Sequence, residues 1–224
     1  MSADPIGIDL EQSRTRILKA AEMYFRRIGY QKTSVEDIAS ELGMSRANVY
    51  RFFPSRTAIN SSVCELIVRD VAQTALAIAQ MVAPASDRLA ELLNSIHWHS
   101  MTMLVKDRPM HELLVTAVNE SWPIINAHNE QMLVILKTLV REGLEAGEFK
   151  VEDADDAAWG AITAFLPFFH PILLEQRVKD GEDAAAAVNA QIRFIMRALG
   201  KSENCPSSAR PGGVNEFRPS QLVL

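Results

Sequence analysis

The sequence predicts an all-α protein of about nine helices, with a three-helix head at the N-terminus and a larger helical body behind it. Three observations carry this. Alanine, leucine, glutamate and arginine recur, while glycine and proline stand at 10 each in 224 residues, a composition that favours helix. Apolar residues return every three or four positions along most of the chain, and no stretch of useful length alternates at the strand period.

Residues 1–10 read as a loose arm. The first helix is read from Gln12, through Ile17, Ala21, Tyr24, Phe25 and Ile28, to Gly29, which stands where a C-cap glycine belongs. Thr33 and Ser34 offer capping oxygens to a second helix, with Glu36 and Asp37 three residues later at capping-box spacing. Val35, Ile38, Ala39 and Leu42 form its apolar face. Gly43 can turn with positive φ, and Ser45 caps a third helix, Arg46 to Phe52. Pro54 ends it. Ser55 caps a fourth helix beginning at Arg56, whose face of Ile59, Val63, Leu66, Ile67 and Val71 runs on as a connector to the body. Helix, short glycine-bearing turn, helix is the helix-turn-helix layout.

In the body, helices are interrupted near Pro84, at Asp107–Pro109, at Ser121–Pro123, at Gly147–Glu148 and at Asp180–Gly181. Pro167 and Pro171 stand four residues apart within the apolar run Phe165 to Leu174. Because apolar residues continue on both sides, they predict one bent helix, with Phe168 and His170 on opposite faces, one of them toward a pocket in the body. From Lys201 onward the composition turns to Ser, Pro, Gly, Asn and Arg, as in a disordered tail.

Composition narrows the function classes. Hydrophobic residues make up 48% and charged residues 23%, enough for a real core. The net charge of -5 hides an asymmetry: residues 1–60 hold 9 Lys and Arg against 7 Asp and Glu, the remainder 14 against 21. A mildly basic head on an acidic body suits a head that meets a polyanion. Two cysteines, Cys64 and Cys205, build neither a disulfide framework nor a thiolate metal site, which fits a reducing cytoplasm. Residues 1–10 lack the pattern of a signal peptide. The run from Phe165 to Leu174 is about half of the ~20 residues a membrane span needs, so no membrane partner is expected.

Several groupings look chemical and are read otherwise. In His97-Trp98-His99 the two imidazoles project about 200° apart on a helix and cannot easily share an ion. His111-Glu112 opens like a zinc-protease motif, but Val115 stands where the second histidine belongs. Glu152, Asp153, Asp155 and Asp156 precede a helix and suit its dipole. Cys64 reads as a small buried hydrophobe. Phosphate-binding glycine loops and nucleophile elbows are missing from the sequence. No catalytic residues, cofactor or metal are expected, and the chain does not read as an enzyme.

The candidate DNA-contacting residues are Thr33, Ser34, Ser45, Arg46, Ala47, Asn48, Tyr50, Arg51 and Arg56. Serine and threonine at helix starts sit beside free N–H groups that suit a phosphate. Arginine pairs with guanine and asparagine with adenine in the major groove, so Arg46, Asn48 and Arg51 are candidate base readers. Tyr50 and Arg56 are candidate backbone holders.

The segment Thr33 to Arg56 resembles the signature of the tetracycline-repressor family: a threonine-led cap, Ile38-Ala39, the Gly43 turn, a Ser45-led recognition helix, Tyr50 with Phe53, and a cation opening the fourth helix. The likeness covers Arg14 to Ile59. Ala47 stands where the family often has glycine, and Arg56 where lysine is usual. The resemblance implies a helix-turn-helix DNA-binding domain at 11–58 and a regulatory and dimerisation domain at 59–200, followed by the tail at 201–224. It further implies a homodimer on a palindromic operator in double-stranded DNA, acting as a repressor released by an unidentified small molecule. The alternative is an effector-independent regulator or activator, which a dry, filled body would favour.

For the dimer interface the resemblance points to the last two helices, Asp156 to Val178 and Ala184 to Leu199. There Trp159, Ile162, Phe165, Leu166, Phe169, Ile192, Ile195, Met196 and Leu199 offer more apolar surface than a lone surface helix should carry, unless these helices face their own core. Candidate pocket residues are Trp98, Met101, Met103, Met132 and Phe168, with His99 and Asn129 as polar fixers. Methionines suit a lipophilic effector.

Overall fold

Side-chain oxygens set most of the helix starts among the described residues. The computed structural model describes residues 5–200, and every regular element among them is helical: α1 (Pro5–Ile28), α2 (Val35–Glu41), α3 (Arg46–Phe52), α4 (Arg56–Ala79), α5 (Ala85–Lys106), α6 (Arg108–Asn119), α7 (Pro123–Glu145), α8 (Ala154–Phe165), α9 (Pro171–Lys179) and α10 (Ala184–Ala198). Ser34, Ser45, Ser55, Asp153 and Asp183 each accept from a backbone N–H two or three residues ahead, at the heads of α2, α3, α4, α8 and α10. Prolines open α6, α7 and α9, where a missing N–H costs nothing. At α5 the cap comes from afar: the Glu148 carboxylate accepts from the N–H groups of Ala85 (2.9 Å) and Ser86 (2.8 Å).

The head follows the sequence reading closely. Ser34 and Asp37 form the reciprocal capping box, and Gly29 and Gly43 take positive φ of 90° and 63°. The first helix differs, since it begins at Pro5 and takes residues 5–10 out of the expected arm. Those turns carry no apolar stripe to betray them, but proline in a first turn is already shaped for helix. The tail from Lys201, with Cys205, lies outside the described residues.

The body holds the second difference. Instead of one bent helix, α8 ends at Phe165, a 3-10 turn covers Leu166–Phe168, and α9 starts afresh at Pro171, with axes 46° apart. Phe169 leaves helical geometry at φ -138°, ψ -22°, and Pro171 has no N–H to continue the ladder. Ten helices result, not nine. No single helix among the described residues is long and apolar enough to cross a membrane.

Two hydrophobic cores form. One gathers α7 with α5, α8, α10 and the far half of α4, through residues such as Leu89, Leu92, Leu136, Leu139, Phe149 and Phe165. The other lies beneath the head, around Ile17, Phe25, Ile38, Val49, Phe53 and Ile59. It does not end at residue 58, where the sequence reading drew its boundary. Val63, Cys64 and Val68 of α4, Met110, Leu113 and Ala117 of α6, and Trp122 and Ile125 complete it.

Gly143 of α7 is buried, and its carbonyl accepts from the N–H groups of Glu148 and Phe149 (2.8 and 3.1 Å). A β-carbon there would overlap the fully buried Phe149 ring. Alanine normally gains about 1 kcal/mol over glycine inside a helix; here overpacking should reverse the sign. Gly143→Ala is expected to lower the unfolding free energy by about 1–2 kcal/mol in urea titrations.

Head surface and body cavity as candidate functional sites

The recognition helix of the helix-turn-helix, α3, turns one face inward through Val49 and leaves the rest toward solvent. Ser45, Arg46, Ala47, Tyr50 and Arg51 are exposed and Asn48 is half-buried. Arg46 pairs with Glu36 of α2, but both side chains are more than half exposed, and such a pair is weak enough to exchange for another partner. Ser45 Oγ accepts from Asn48 N at 3.2 Å. Ser34 is half-buried, and its hydroxyl donates to Asp37 while accepting from the Asp37 N–H. The hydrogen bonds from Ser34 hold the Asp37 carboxyl below its ordinary range.

Two residues of the expected contact set carry structural hydrogen bonds. Thr33 is 2% exposed and its hydroxyl donates to the Gly29 carbonyl at 2.9 Å, so its side chain closes the α1 terminus and faces no solvent. Arg56 sends Nη2 to the carbonyls of Tyr30 (2.5 Å) and Gln31 (2.7 Å). It ties the start of α4 to the turn after α1, which the sequence reading took for a backbone clamp. Cys64 is fully buried, and burial pushes its thiol up to about 12, which leaves it inert.

In the body a cavity of about 420 Å³ opens among α4, α5, α6, α7, α8 and the turn before α9. Ile67, Val71, Ile96, Leu114, Val118, Met132, Leu133 and Ile162 supply apolar wall. His99, Met103, Asn129 and Met132, named from sequence, line it. Trp98, Met101 and Phe168 do not. Trp98 is 60% exposed, because it stands one position, about 100° of helix, from His99. Phe168 is packed into the core, stacked on Phe165 and covered by the Arg177 guanidinium at 4.2 Å. Its carbonyl receives the Nδ1–H of buried His97 at 2.7 Å.

The wall holds three further histidines: His111 and His128, which the sequence reading missed, and His170, which it set opposite Phe168 with one of the two toward the pocket. Four of the five histidines of the chain thus face one cavity. Burial lowers the pKa of all three, opposed at His111 by its hydrogen bond to Glu175. His111 Nε2 donates to Glu175 at 3.2 Å. Hydrogen bonds from Lys179 and Arg108, with that from His111, hold the Glu175 carboxyl at about 2, so it is ionised and bridges α6 to α9. Nδ1 of His128 and Nδ1 of His170 are buried without a hydrogen-bond partner.

Most of the residues expected at a dimer interface also serve this chain, while Trp159 is 60% exposed. Phe165, Ile192, Ile195, Met196 and Leu199 lie in the body's own core. Ile162, Leu166, Phe169 and Trp159 line the cavity. The apolar excess of these helices is consumed largely within the chain, and what remains outside is chiefly Trp159 and Phe194. Phe194 is 61% exposed, beside a groove formed by small residues of α8 and α10, among them Gly160, Ala164 and Ala198.

Two family models match the chain in succession: residues 17–62 match bacterial regulatory proteins of the tetR family, and residues 85–189 match the tetracyclin repressor-like C-terminal domain. An uncharacterized HTH-type transcriptional regulator of Mycobacterium tuberculosis is 30% identical over 100 residues, 44% of this chain and 46% of that protein. The chain spans less than half the length of the curated relatives it matches. Among solved structures, a TetR/AcrR-family regulator from Thermobifida fusca aligns with a TM-score of 0.63 at 23% identity, covering 83% of this chain and 97% of that one. The regulator FadR of Bacillus subtilis, solved with stearoyl-CoA, aligns with a TM-score of 0.59 at 19% identity, covering 81% and 97%.

The Arg56 bridge can be tested without DNA. Arg56→Ala removes both carbonyl contacts at a solvent-facing site and should lower the unfolding free energy by about 1 kcal/mol. Arg56→Lys should recover only part of it, because one ammonium cannot reproduce the fork. Urea titration of the three proteins measures both.

Proposed function

The chain belongs to the tetracycline-repressor family of transcriptional regulators, and from that premise we propose that it is a homodimeric repressor in the cytoplasm, released from a palindromic operator when a lipophilic small molecule enters the body cavity. The observation that carries this reading is the double service of α6. Met110, Leu113 and Ala117 sit in the head core, while His111, Leu114 and Val118 line the cavity. Polar ties add to the packing: Tyr30 and Thr116 share a hydrogen bond at 2.7 Å, and Arg26 meets Asp107 at 2.7 Å.

A ligand in the cavity presses on the helix to which the head is bonded. Occupation of the cavity favours some α6 positions over others, and the head follows. Operator affinity then falls by as much as the ligand prefers the non-binding arrangement. An effector-independent regulator needs a filled body; an apolar cavity with polar groups on its wall supports the ligand-gated reading. FadR of Bacillus subtilis, of the same fold, was solved with an acyl-CoA, in keeping with an apolar occupant.

On DNA, two α3 helices enter successive major grooves about 34 Å apart. Arg46, Asn48 and Arg51 read bases, while Ser34, Ser45 and Tyr50 hold phosphates and the backbone at Ala47 approaches closely. Selection from random DNA should return a palindrome with that half-site spacing. Asn48→Ala should cost roughly 1–3 kcal/mol at one base position only, measured against single-base variants of the selected site. A uniform loss across all variants would make Asn48 a backbone contact.

The dimer forms through the outer faces of α8 and α10, where the Phe194 ring of one protomer covers the small-residue groove of the other. Phe194→Asp should give folded monomers by light scattering and lose operator affinity, since two half-sites can no longer be held together. A stable Phe194→Asp dimer would move the interface off this face.

A further inference from the structure

We propose that the cavity selects an uncharged lipophile bearing a hydroxyl group, such as an alkylphenol, and rejects carboxylates and ammonium ions of the same shape. This rests on reading the cavity as the effector site, and it concerns the chemistry of the occupant. Among the described residues, no lysine, arginine, aspartate or glutamate lines the cavity. Its polar wall consists of four histidines with Ser100, Asn129 and Thr163. A bound carboxylate would therefore lose its hydration with no fixed cation in contact, and an ammonium with no fixed anion in contact. Such a transfer is costly unless the charge is paired.

The nearest charges outside the lining do not change this. Glu175 behind His111 already holds Arg108 and Lys179 (both 2.9 Å). Asp70 lies 3.9 Å from His99 and is largely exposed. Acids behind two of the histidines make the cavity a poorer host for an anion, while the cations that neutralise Glu175 remove its attraction for a cation.

The histidines then state what a neutral occupant must offer. His99 Nδ1 donates to the Ser95 carbonyl at 2.9 Å and His111 donates to Glu175. His128 and His170 line the same wall with an Nδ1 that has no partner and lies just beneath the accessible surface, where a turn of the ring brings it to a guest. Burial keeps both rings neutral, and in a neutral ring this nitrogen accepts or donates according to tautomer. A hydroxyl answers either case because it does both. A ketone or ether answers only a donor, and a hydrocarbon answers neither.

Four probes of one shape test this on the full-length protein: 4-propylphenol, propylbenzene, 4-propylbenzoate and 4-propylphenyltrimethylammonium, with binding read by calorimetry at pH 7.5. The phenol is expected to bind at least tenfold tighter than either ion. His128→Phe and His170→Phe, checked for folding by thermal melts, should each be made; at least one should weaken the phenol about three- to tenfold, the worth of one hydrogen bond, and leave propylbenzene no weaker. Equal or tighter binding of either ion, no binding of any probe, or equal losses for phenol and propylbenzene in both variants would overturn the proposal. Operator affinity measured with the phenol separates the two readings. Selective binding with no effect on DNA leaves the ligand assignment standing and removes the cavity's regulatory role.

Discussion

Everything in this molecule depends on the head being unable to close its own core. Helices α2 and α3 have seven residues each, and helices so short are not stable alone. They persist because Val35, Ile38 and Val49 are buried against α1 and α4. That packing still leaves α1 with an open side. Met110, Leu113 and Ala117 of α6 fill it, and Tyr30 and Arg26 fasten the join with polar bonds to Thr116 and Asp107. The DNA-facing head is therefore a module by sequence and a continuous solid by packing.

This arrangement makes α6 two-faced by construction. Residues 110, 113 and 117 form one stripe at helical spacing, and residues 111, 114 and 118 form a second, one position and about 100° further round. The first stripe belongs to the head core and the second to the cavity wall. A helix twelve residues long has little side left for solvent, and Arg108, Glu112 and Asn119 hold it. Close-packed interiors transmit displacement without absorbing it. Movement on the cavity side has no slack in which to be lost before it reaches α1.

The head was legible in the sequence because its determinants are local. Ser34 with Asp37, Gly43, Ser45, Pro54 and Ser55 each act within four residues of themselves, and each does what its chemistry dictates. The body was legible as helices and breaks but not as surfaces. Its cavity draws single residues from six parts of the chain, and one residue of error in helical phase separates Trp98, on the outside, from His99, on the wall. The apolar residues of α8 and α10 announce that they must be buried without saying against what; the answer is mostly their own chain, with Trp159 and Phe194 left over. Pro167 and Pro171 fixed the place of the interruption, but a bend and a restart differ only in Phe169's backbone. Thr33 and Arg56 matched a contact pattern and also bond to backbone carbonyls, Thr33 at the end of α1 and Arg56 in the turn after it, bonds that depend on where the chain returns.

A cavity of this size should weaken the fold, since each wall atom lacks the neighbours a packed core would supply. The polar bonds around it explain how its walls keep their places. Glu175 holds α6 against α9 through His111 and Arg108, Arg88 joins the α4 terminus to α7 through Ala79 and Glu142, and Glu148 caps α5. These bonds lie outside the lining and fix the frame without filling the space. The wall itself is left with two imidazole nitrogens unpaired, which a dry apolar core would not tolerate without loss. A frame held from outside keeps a cavity open inside the body. Because α6 belongs to that wall and to the head, a displacement of the wall along this helix is felt in the head core.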